Sequence, residues 1–353
     1  MLSTFKGISR RRIGTILASI FIGSTVTFAS VTPQTYAAEI THLDNQQVGH
    51  HRSQADDESL NPFQWYIDTT NLKKDSGDNY VAIGDSWAGS TFIATMRPDP
   101  CMRNRIGYPE ITSFSVDLQL RNTACAGAKL SSYWKPSSFI SGIRPTEFPL
   151  LYKSSMNKAI DKETKLVTIQ LGILEFQNFW CIPDRIKDLT PKKCERYVRH
   201  RFNTIRPYLV PAYRSMYKDA KRRAHKDALI VGIGYSRMFI EDKFCWDGII
   251  VAPSTRKLLD ELQEELNAAA KQAAKEAGVQ YYNLSSDTPY LHSSCGVPLA
   301  RYVSGLAIVE GSTAFHPTFR WHIQTASDIT KLYQAHKMSV GYHQGGQKKL
   351  NNR

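Results

Sequence analysis

Four short apolar runs are spaced along this chain, at residues 80–84, 165–171, 228–234 and 279–284. A weaker fifth run covers residues 113–120. Continuous apolar runs of this length are typical of strands that are covered on both faces. The pattern therefore predicts a parallel sheet of about five strands.

The stretches between these runs have helical spacing. Leucine and alanine recur on one side of residues 254–277, and Gly278 is placed to end that helix. A second apolar face runs from residue 198 to residue 220, but Pro207 and Pro211 predict a kink or a break in it. Strands that alternate with helices predict a parallel sheet with helices on both faces.

A last helix is predicted after Pro317, with four apolar side chains facing inward. These are Ile323, Ala326, Ile329 and Tyr333.

The N-terminus has the pattern of an export signal. Four basic residues between Lys6 and Arg12 precede a mostly apolar stretch at 13–31, and small residues near 35–38 suit signal-peptidase cleavage. An uncleaved membrane anchor is the alternative, because the apolar stretch is long for a signal. Its content of Ser, Thr and Gly favours a cleaved signal peptide at 1–38 and a secreted protein.

The 353 residues have a formal net charge of +13, and removing the four basic residues of the signal leaves +9. The basic residues are scattered along helices and in the C-terminal tail. No arginine–aromatic stripe or nucleic-acid motif accompanies them, so no nucleic-acid partner is expected. The positive charge is suited instead to contact with anionic polymers of a cell envelope.

Composition divides the rest of the chain into three parts. Residues 39–78 are polar and predict an N-terminal extension, and residues 79–337 contain the α/β domain. Residues 338–353 form a basic, Gly- and Gln-rich tail that is predicted to be flexible. His50 and His51 of the extension lack further ligands at a suitable spacing, so no metal site is expected.

All six cysteines follow the signal, which indicates disulfides rather than metal ligation. Fifteen pairings are formally open to six cysteines, and none of the six belongs to a CxxC motif. The spacings favour pairs of sequential neighbours. Those pairs are Cys101 with Cys125, Cys181 with Cys194, and Cys245 with Cys295.

The segment YVAIGDSWAGS at 80–90 has the features of a nucleophile site. Its strand-like run breaks at Gly84, which leaves Asp85 and Ser86 at the carboxyl end of the strand with a helix behind them. Open α/β sheets build their sites at that end, and the first amides of a helix can donate to an oxyanion. A Gly-Asp-Ser turn that merely caps a helix is the alternative.

A serine nucleophile needs a base, and His316 is the best placed of the ten histidines. It lies between Phe315 and Pro317, in a loop before the last helix and near the sheet edge where Ser86 is expected. His322 would lie inside that helix. The alternative for His316 is a residue that only begins the helix.

The segments Gly84-Asp85-Ser86 and Phe315-His316-Pro317 resemble two blocks of the SGNH/GDSL hydrolases, and more closely those of their exported, disulfide-stapled esterase and lipase branch. Four other blocks resemble that branch in the same order along the chain. They are DPCMR at 99–103 with YP at 108–109, TACAGA at 123–128, VTIQLG at 167–172 and GIGYSR at 232–237. The cysteine positions also match the three disulfides of the branch.

The resemblance implies a flavodoxin-like three-layer α/β/α sandwich. It implies a secreted carboxylic ester hydrolase that acts on a small-molecule or lipid ester, without metal or cofactor. A monomer is expected, although no feature of the sequence determines the oligomeric state. Ser86 would attack the ester, His316 would move the proton, and the amides of Ser86 and Gly127 would form the oxyanion hole. Hydrolysis would pass through an acyl-enzyme.

Two positions depart from the family pattern. Leu174 stands where the family has an asparagine that donates to the oxyanion, a role that Gln170, Gln177 or Asn178 would have to take. Thr313, three residues before His316, stands where the family has an aspartate. Some relatives of the branch orient the histidine with a main-chain carbonyl instead, which implies a Ser–His dyad here.

Two other functions stay open on the same scaffold. One is an acyltransferase or deacetylase of cell-envelope glycans, which would use the same dyad. The other is a catalytically weak protein that binds the envelope, an alternative motivated by Leu174.

Overall fold

Five parallel strands form the central sheet in a computed structural model of the chain. They are β1 (Asn79–Gly84), β2 (Gln119–Asn122), β3 (Thr164–Gln170), β4 (Leu229–Ile233) and β5 (Gln280–Tyr282). Their order across the sheet is β2-β1-β3-β4-β5, which is the flavodoxin-like order. The predicted parallel sheet and α/β fold are confirmed.

The structure describes residues 77–89, 101–135, 155–175, 191–240, 245, 251–284, 289–305 and 311–351. The predicted signal peptide at 1–38, nearly all of the predicted extension at 39–78, and residues Cys181, Gln177 and Asn178 lie outside these ranges. Within them, no helix combines the length and the apolar character that crossing a membrane requires.

Six α-helices accompany the strands in the described ranges. They are α1 (Ser86–Gly89), α2 (Tyr108–Val116), α3 (Pro191–Arg223), α4 (Pro253–Ala277), α5 (Pro289–His292) and α6 (Phe319–Asn351). Short 3₁₀ turns lie at Leu130–Tyr133, Met156–Ala159 and Ile173–Glu175.

Two helix pairs cover the sheet. The long helices α3 and α4 pack against each other, and α2 packs against α6. The chain moves outward from β1 to β2 through α2, and in the opposite direction from β3 to β5 through α3 and α4. Because such crossovers are right-handed, the reversal places the two pairs on opposite faces. The sheet is therefore the middle layer of three.

The register of β1 explains why its residues are apolar. It pairs with β2 on one side and with β3 on the other, and all six of its residues are buried. A strand with neighbours on both edges and helices on both faces has no side chain in water, so it has no polar alternation.

The predicted fifth strand at 113–120 is wrong in its position. Residues up to Val116 belong to α2, and the strand is Gln119–Asn122. The Glu110 carboxylate accepts a hydrogen bond from the Gly107 amide at the start of α2, and Asp117 ends the helix with φ 53°. Capping and packing on α6 therefore outweigh the apolar alternation of this segment.

The two prolines of α3 do not divide it. The helix continues from Pro191 to Arg223 through Pro207 and Pro211, so the predicted break is absent. Both prolines are exposed. Water can therefore hydrogen-bond to the carbonyls that lose their helical partners, while the buried face of α3 remains packed.

Helix α4 ends as predicted, because Gly278 adopts the left-handed conformation with φ 63°. Helix α6 continues to Asn351, through the residues of the basic tail, since each added residue of a helix gains a hydrogen bond. One of its four predicted inward-facing residues differs from the prediction. Ile323 is 46% exposed, because it lies beside the buried stripe that contains Ala326 and Ile329.

Two of the predicted disulfides are present, Cys101–Cys125 and Cys245–Cys295. Cys194 is also disulfide-bonded, and its predicted partner lies outside the described residues.

Candidate active site

Ser86 begins helix α1 at the carboxyl end of β1. The turn that places it there needs glycine at position 84, since a Cβ atom at Gly84 would lie 2.3 Å from the Ala88 Cβ and 3.0 Å from the Gln170 carbonyl oxygen. The Asp85 amide donates to that same carbonyl at 3.0 Å. The chain therefore turns sharply from strand to helix, and the Ser86 side chain lies at the sheet edge.

His316 lies against Ser86, 230 residues away in sequence, as the sequence predicted. The distance between His316 Nε2 and Ser86 Oγ is 2.8 Å, within hydrogen-bonding range. His322, the other histidine of this region, is fully buried inside α6, and its Nδ1 accepts a hydrogen bond from the Tyr108 amide. Burial lowers the pKa of His322 to about 3, so it stays neutral.

The second ring nitrogen of His316 has a main-chain partner. Nδ1 lies 2.8 Å from the Ala314 carbonyl oxygen, which can only accept a hydrogen bond. The proton of a neutral imidazole therefore lies on Nδ1, and the lone pair of Nε2 is left to accept the Ser86 hydroxyl proton. Burial lowers the pKa of His316, which keeps the imidazole neutral in the resting protein. Thr313, three residues before His316, supplies no carboxylate.

Ser304 holds the backbone of the histidine loop, a role that no motif indicated. Its side chain is fully buried, and its Oγ donates to the Thr313 carbonyl at 2.6 Å and accepts from the His316 amide at 3.2 Å. Its own amide donates to the His316 carbonyl at 2.9 Å. Between these contacts Phe315 adopts φ 60°, a conformation that is costly for a residue with a side chain. Ser304 and the buried Phe315 ring thus impose the turn that presents His316.

Asp85 precedes the serine and is fully buried. One carboxylate oxygen accepts the Tyr235 hydroxyl proton at 2.5 Å, and the other accepts from the Trp87 amide at 2.9 Å. Burial raises the pKa of Asp85 to about 7, against the lowering effect of these hydrogen bonds. Tyr235 in turn accepts from the Ile173 amide at 3.2 Å, which connects the ends of β1, β3 and β4.

Gly127, the second predicted oxyanion donor, lies in a loop fastened to the end of β1. The Cys125 amide donates to the Gly84 carbonyl at 3.0 Å, and the Ala126 amide donates to the Cys101 carbonyl at 3.0 Å. Gly127 itself has φ 85°, which favours glycine. Within the described part of the chain, no protein group accepts a hydrogen bond from the amides of Ser86 and Gly127. These two amides are therefore available to an external oxygen.

Leu174 lies in the 3₁₀ turn after β3, partly buried and packed against the core. The next residue, Glu175, fastens this turn to the Gly127 loop, because its carboxylate accepts a hydrogen bond from the Leu130 amide at 2.7 Å. Gln170, one of the three suggested substitutes for the missing asparagine, uses its Nε2 to donate to the Gly234 carbonyl at 3.0 Å. The other two substitutes lie outside the described residues.

The site combines the Ser86 hydroxyl, the neutral His316 imidazole, whose Nδ1 is held by a carbonyl, and two main-chain amides without an acceptor among the described residues. This is the arrangement needed for nucleophilic attack on a carbonyl group. Among the described residues, no group of three or more His, Cys, Asp or Glu side chains is arranged to hold a metal ion.

No protein-family model matches the chain. Lipase 2 of Streptomyces coelicolor is 22% identical over 256 residues, which are 68% of this chain and 80% of the relative.

The fold is similar to that of two solved structures, each with a TM-score above 0.5. One is phospholipase A1 from Streptomyces albidoflavus NA297, with a TM-score of 0.53 and 17% identity. The other is an extracellular lipase from Streptomyces rimosus, with a TM-score of 0.51 and 18% identity. Each match covers 70% of this chain and 95% of the other protein, and shows that they share a fold.

Proposed function

We propose that this chain is an SGNH hydrolase and a secreted carboxylic ester hydrolase, with Ser86 as nucleophile and His316 as general base. The observation that carries the proposal is the 2.8 Å contact between Ser86 Oγ and His316 Nε2, with Nδ1 anchored on the Ala314 carbonyl. A hydroxyl is a weak nucleophile until a base removes its proton. An imidazole fixed in the correct tautomer at hydrogen-bonding distance supplies that base.

The reaction proceeds in two halves. Ser86 Oγ forms a bond to the ester carbonyl carbon while its proton passes to His316 Nε2. The bond from that carbon to the alkoxy oxygen then breaks, and the proton on Nε2 passes to the departing alcohol. The resulting acyl-enzyme is hydrolysed when His316 takes a proton from water, the hydroxide oxygen attacks the carbonyl, and Ser86 regains the proton as the acid leaves.

The charges that develop during the reaction have partners in the site. The amides of Ser86 and Gly127 donate to the oxyanion of each tetrahedral intermediate. The Ala314 carbonyl accepts a hydrogen bond from Nδ1–H throughout and stabilises the imidazolium that forms when Nε2 is protonated. The orienting group is therefore a dipole rather than a carboxylate, which makes the pair a dyad.

Three further observations support the assignment of class and location. A curated relative is named a lipase, and the two structures that share the fold are named a phospholipase A1 and an extracellular lipase. The disulfides are typical of exported proteins. The N-terminal sequence has the pattern of a cleaved signal peptide. A monomer is the proposed state in solution.

The test uses the mature, secreted protein and a fluorophosphonate probe. The probe should modify Ser86, as mapped by peptide mass spectrometry, and Ser86→Ala should abolish both labelling and hydrolysis of p-nitrophenyl esters. Ser115→Ala, a serine substitution on the exposed surface of α2, is the matched control and should retain both. Labelling at a different serine, or hydrolysis by Ser86→Ala at the original rate, contradicts the proposal.

A further inference from the structure

A loop beside the histidine exposes apolar side chains at its tip. The tip consists of Val297, Pro298 and Leu299, of which Val297 is 58% and Leu299 is 76% exposed. Leu299 also adopts φ 71°, in the left-handed region that leucine rarely enters. Strain of this kind persists only where the surrounding structure imposes it, and it is concentrated at sites of function.

The surrounding structure does impose it. The loop is anchored by the disulfide of Cys295, and the fully buried Arg301 donates from Nε to the Gly296 carbonyl at 2.6 Å. The Ala300 amide donates to the Val297 carbonyl at 3.1 Å, which closes a turn around the tip. The tip is therefore held rigidly, with two aliphatic side chains directed into solvent.

The tip belongs to the part of the molecule that carries His316. Ser304, at the end of the same loop, holds the His316 backbone. Arg320, in the first turn of α6, donates from Nη1 to the Leu299 carbonyl at 3.3 Å. Ile323 follows one turn later on the same side of α6 and is 46% exposed. Tip, Arg320 and Ile323 thus form one surface, which we call the tip surface.

A positive charge contacts the tip. Arg320 is exposed and its guanidinium donates to the Leu299 carbonyl, whereas Arg301 is fully buried within the loop. An apolar tip beside an exposed arginine fits a partner that is apolar inside and anionic at its surface. Two aliphatic side chains and a neighbouring isoleucine are too small an area for a stable protein interface, but they can enter the acyl chains of a lipid layer.

We propose that the tip surface docks the protein on an anionic lipid surface. Val297 and Leu299 insert among acyl chains, and Arg320 lies at the level of the phosphate groups. Docking brings the Ser86–His316 pair to the lipid. The substrate class that follows, esters within a lipid aggregate, rests on the proposed function, whereas docking itself does not.

The test measures flotation of the mature protein with vesicles of phosphatidylcholine alone or mixed with phosphatidylglycerol. The wild type should bind the mixed vesicles more tightly. Leu299→Gly should reduce that binding by roughly tenfold or more, because burial of one leucine side chain accounts for about that factor. Since glycine relieves the strained φ, the same variant should unfold at an equal or higher temperature. Its hydrolysis of a dissolved short-chain ester should not change.

Tyr208→Ser is the matched control, since Tyr208 is 70% exposed on α3, in the opposite helix layer. It should bind vesicles as the wild type does. Wild-type binding by Leu299→Gly, an equal loss in Tyr208→Ser, or equal binding to neutral and anionic vesicles overturns the proposal. A protein that docks but hydrolyses no ester would overturn the proposed function and leave docking intact, and Ser86→Ala should dock normally.

Discussion

Asp85 should make the folded protein less stable as the pH rises, and Asp85→Asn should remove that dependence. The carboxyl is fully buried, and its pKa is raised from 3.8 to about 7. A group whose pKa is higher in the folded state binds its proton more tightly there. Folding is therefore favoured at low pH, and this contribution is lost as the pH rises from about 4 through about 7.

The size of the effect follows from the pKa difference. A difference of about 3 units at about 1.4 kcal/mol per unit amounts to about 4 kcal/mol at pH 8. Asparagine keeps the shape and the hydrogen bond from the Trp87 amide but carries no charge. Relative to wild type, Asp85→Asn should thus gain up to about 4 kcal/mol of unfolding free energy between pH 4 and pH 8. Any change in stability that the amide causes equally at both pH values cancels in that comparison.

The assay is guanidinium unfolding of the disulfide-intact protein at several pH values, with linear extrapolation to water. Asp161→Asn is a control for which the pH dependence of stability should change in the opposite direction. Partial burial raises the pKa of Asp161, but its hydrogen bonds and its ion pair with Arg121 outweigh that effect and lower the pKa. The carboxylate therefore stabilises the fold at neutral pH and loses that effect on acidification. Parallel pH curves for wild type and Asp85→Asn would refute the argument that Asp85 is buried at a raised pKa.

Three further predictions concern the site and the disulfides. Ser304→Ala should lower kcat on a short-chain ester by about tenfold or more with KM unchanged, and Ser304→Thr should restore much of it, because the hydroxyl positions His316. An equal change in both parameters, or no rescue, would argue against that role. Leu174→Asn should raise kcat with little change in KM if this position faces the oxyanion. Unchanged kcat in a folded variant would mean that another group already donates to the oxyanion. Peptide mapping without reduction should join Cys181 to Cys194, and a free thiol on either would contradict the assigned pairing.

Much of the fold could be predicted from the sequence because its signals are local. Apolar runs predicted four strands to within two residues. Three of them, β1, β3 and β4, are almost wholly buried, so few polar positions interrupt their pattern. Gly278 predicted the end of α4 because the left-handed conformation there favours glycine. The strand predicted at residues 113–120 was wrong in its position, because an alternating segment is compatible with both a strand and a half-buried helix. Packing on α6 decides between the two.

The proposed nucleophile and base could be selected from the sequence because Ser86 and His316 lie in short motifs at the ends of elements. The groups that surround these two residues could not be predicted from the sequence. The Ala314 carbonyl carries no side-chain signal, and Ser304 and Tyr235 are ordinary residues in sequence that become partners only when distant loops meet. The pKa of Asp85 and the exposure of Leu299 likewise depend on burial, which is a property of the packed chain. Short motifs were thus enough to propose the reactive residues, whereas their orientation, protonation and access to solvent come from the tertiary structure, because each of these depends on contacts between segments far apart in the chain.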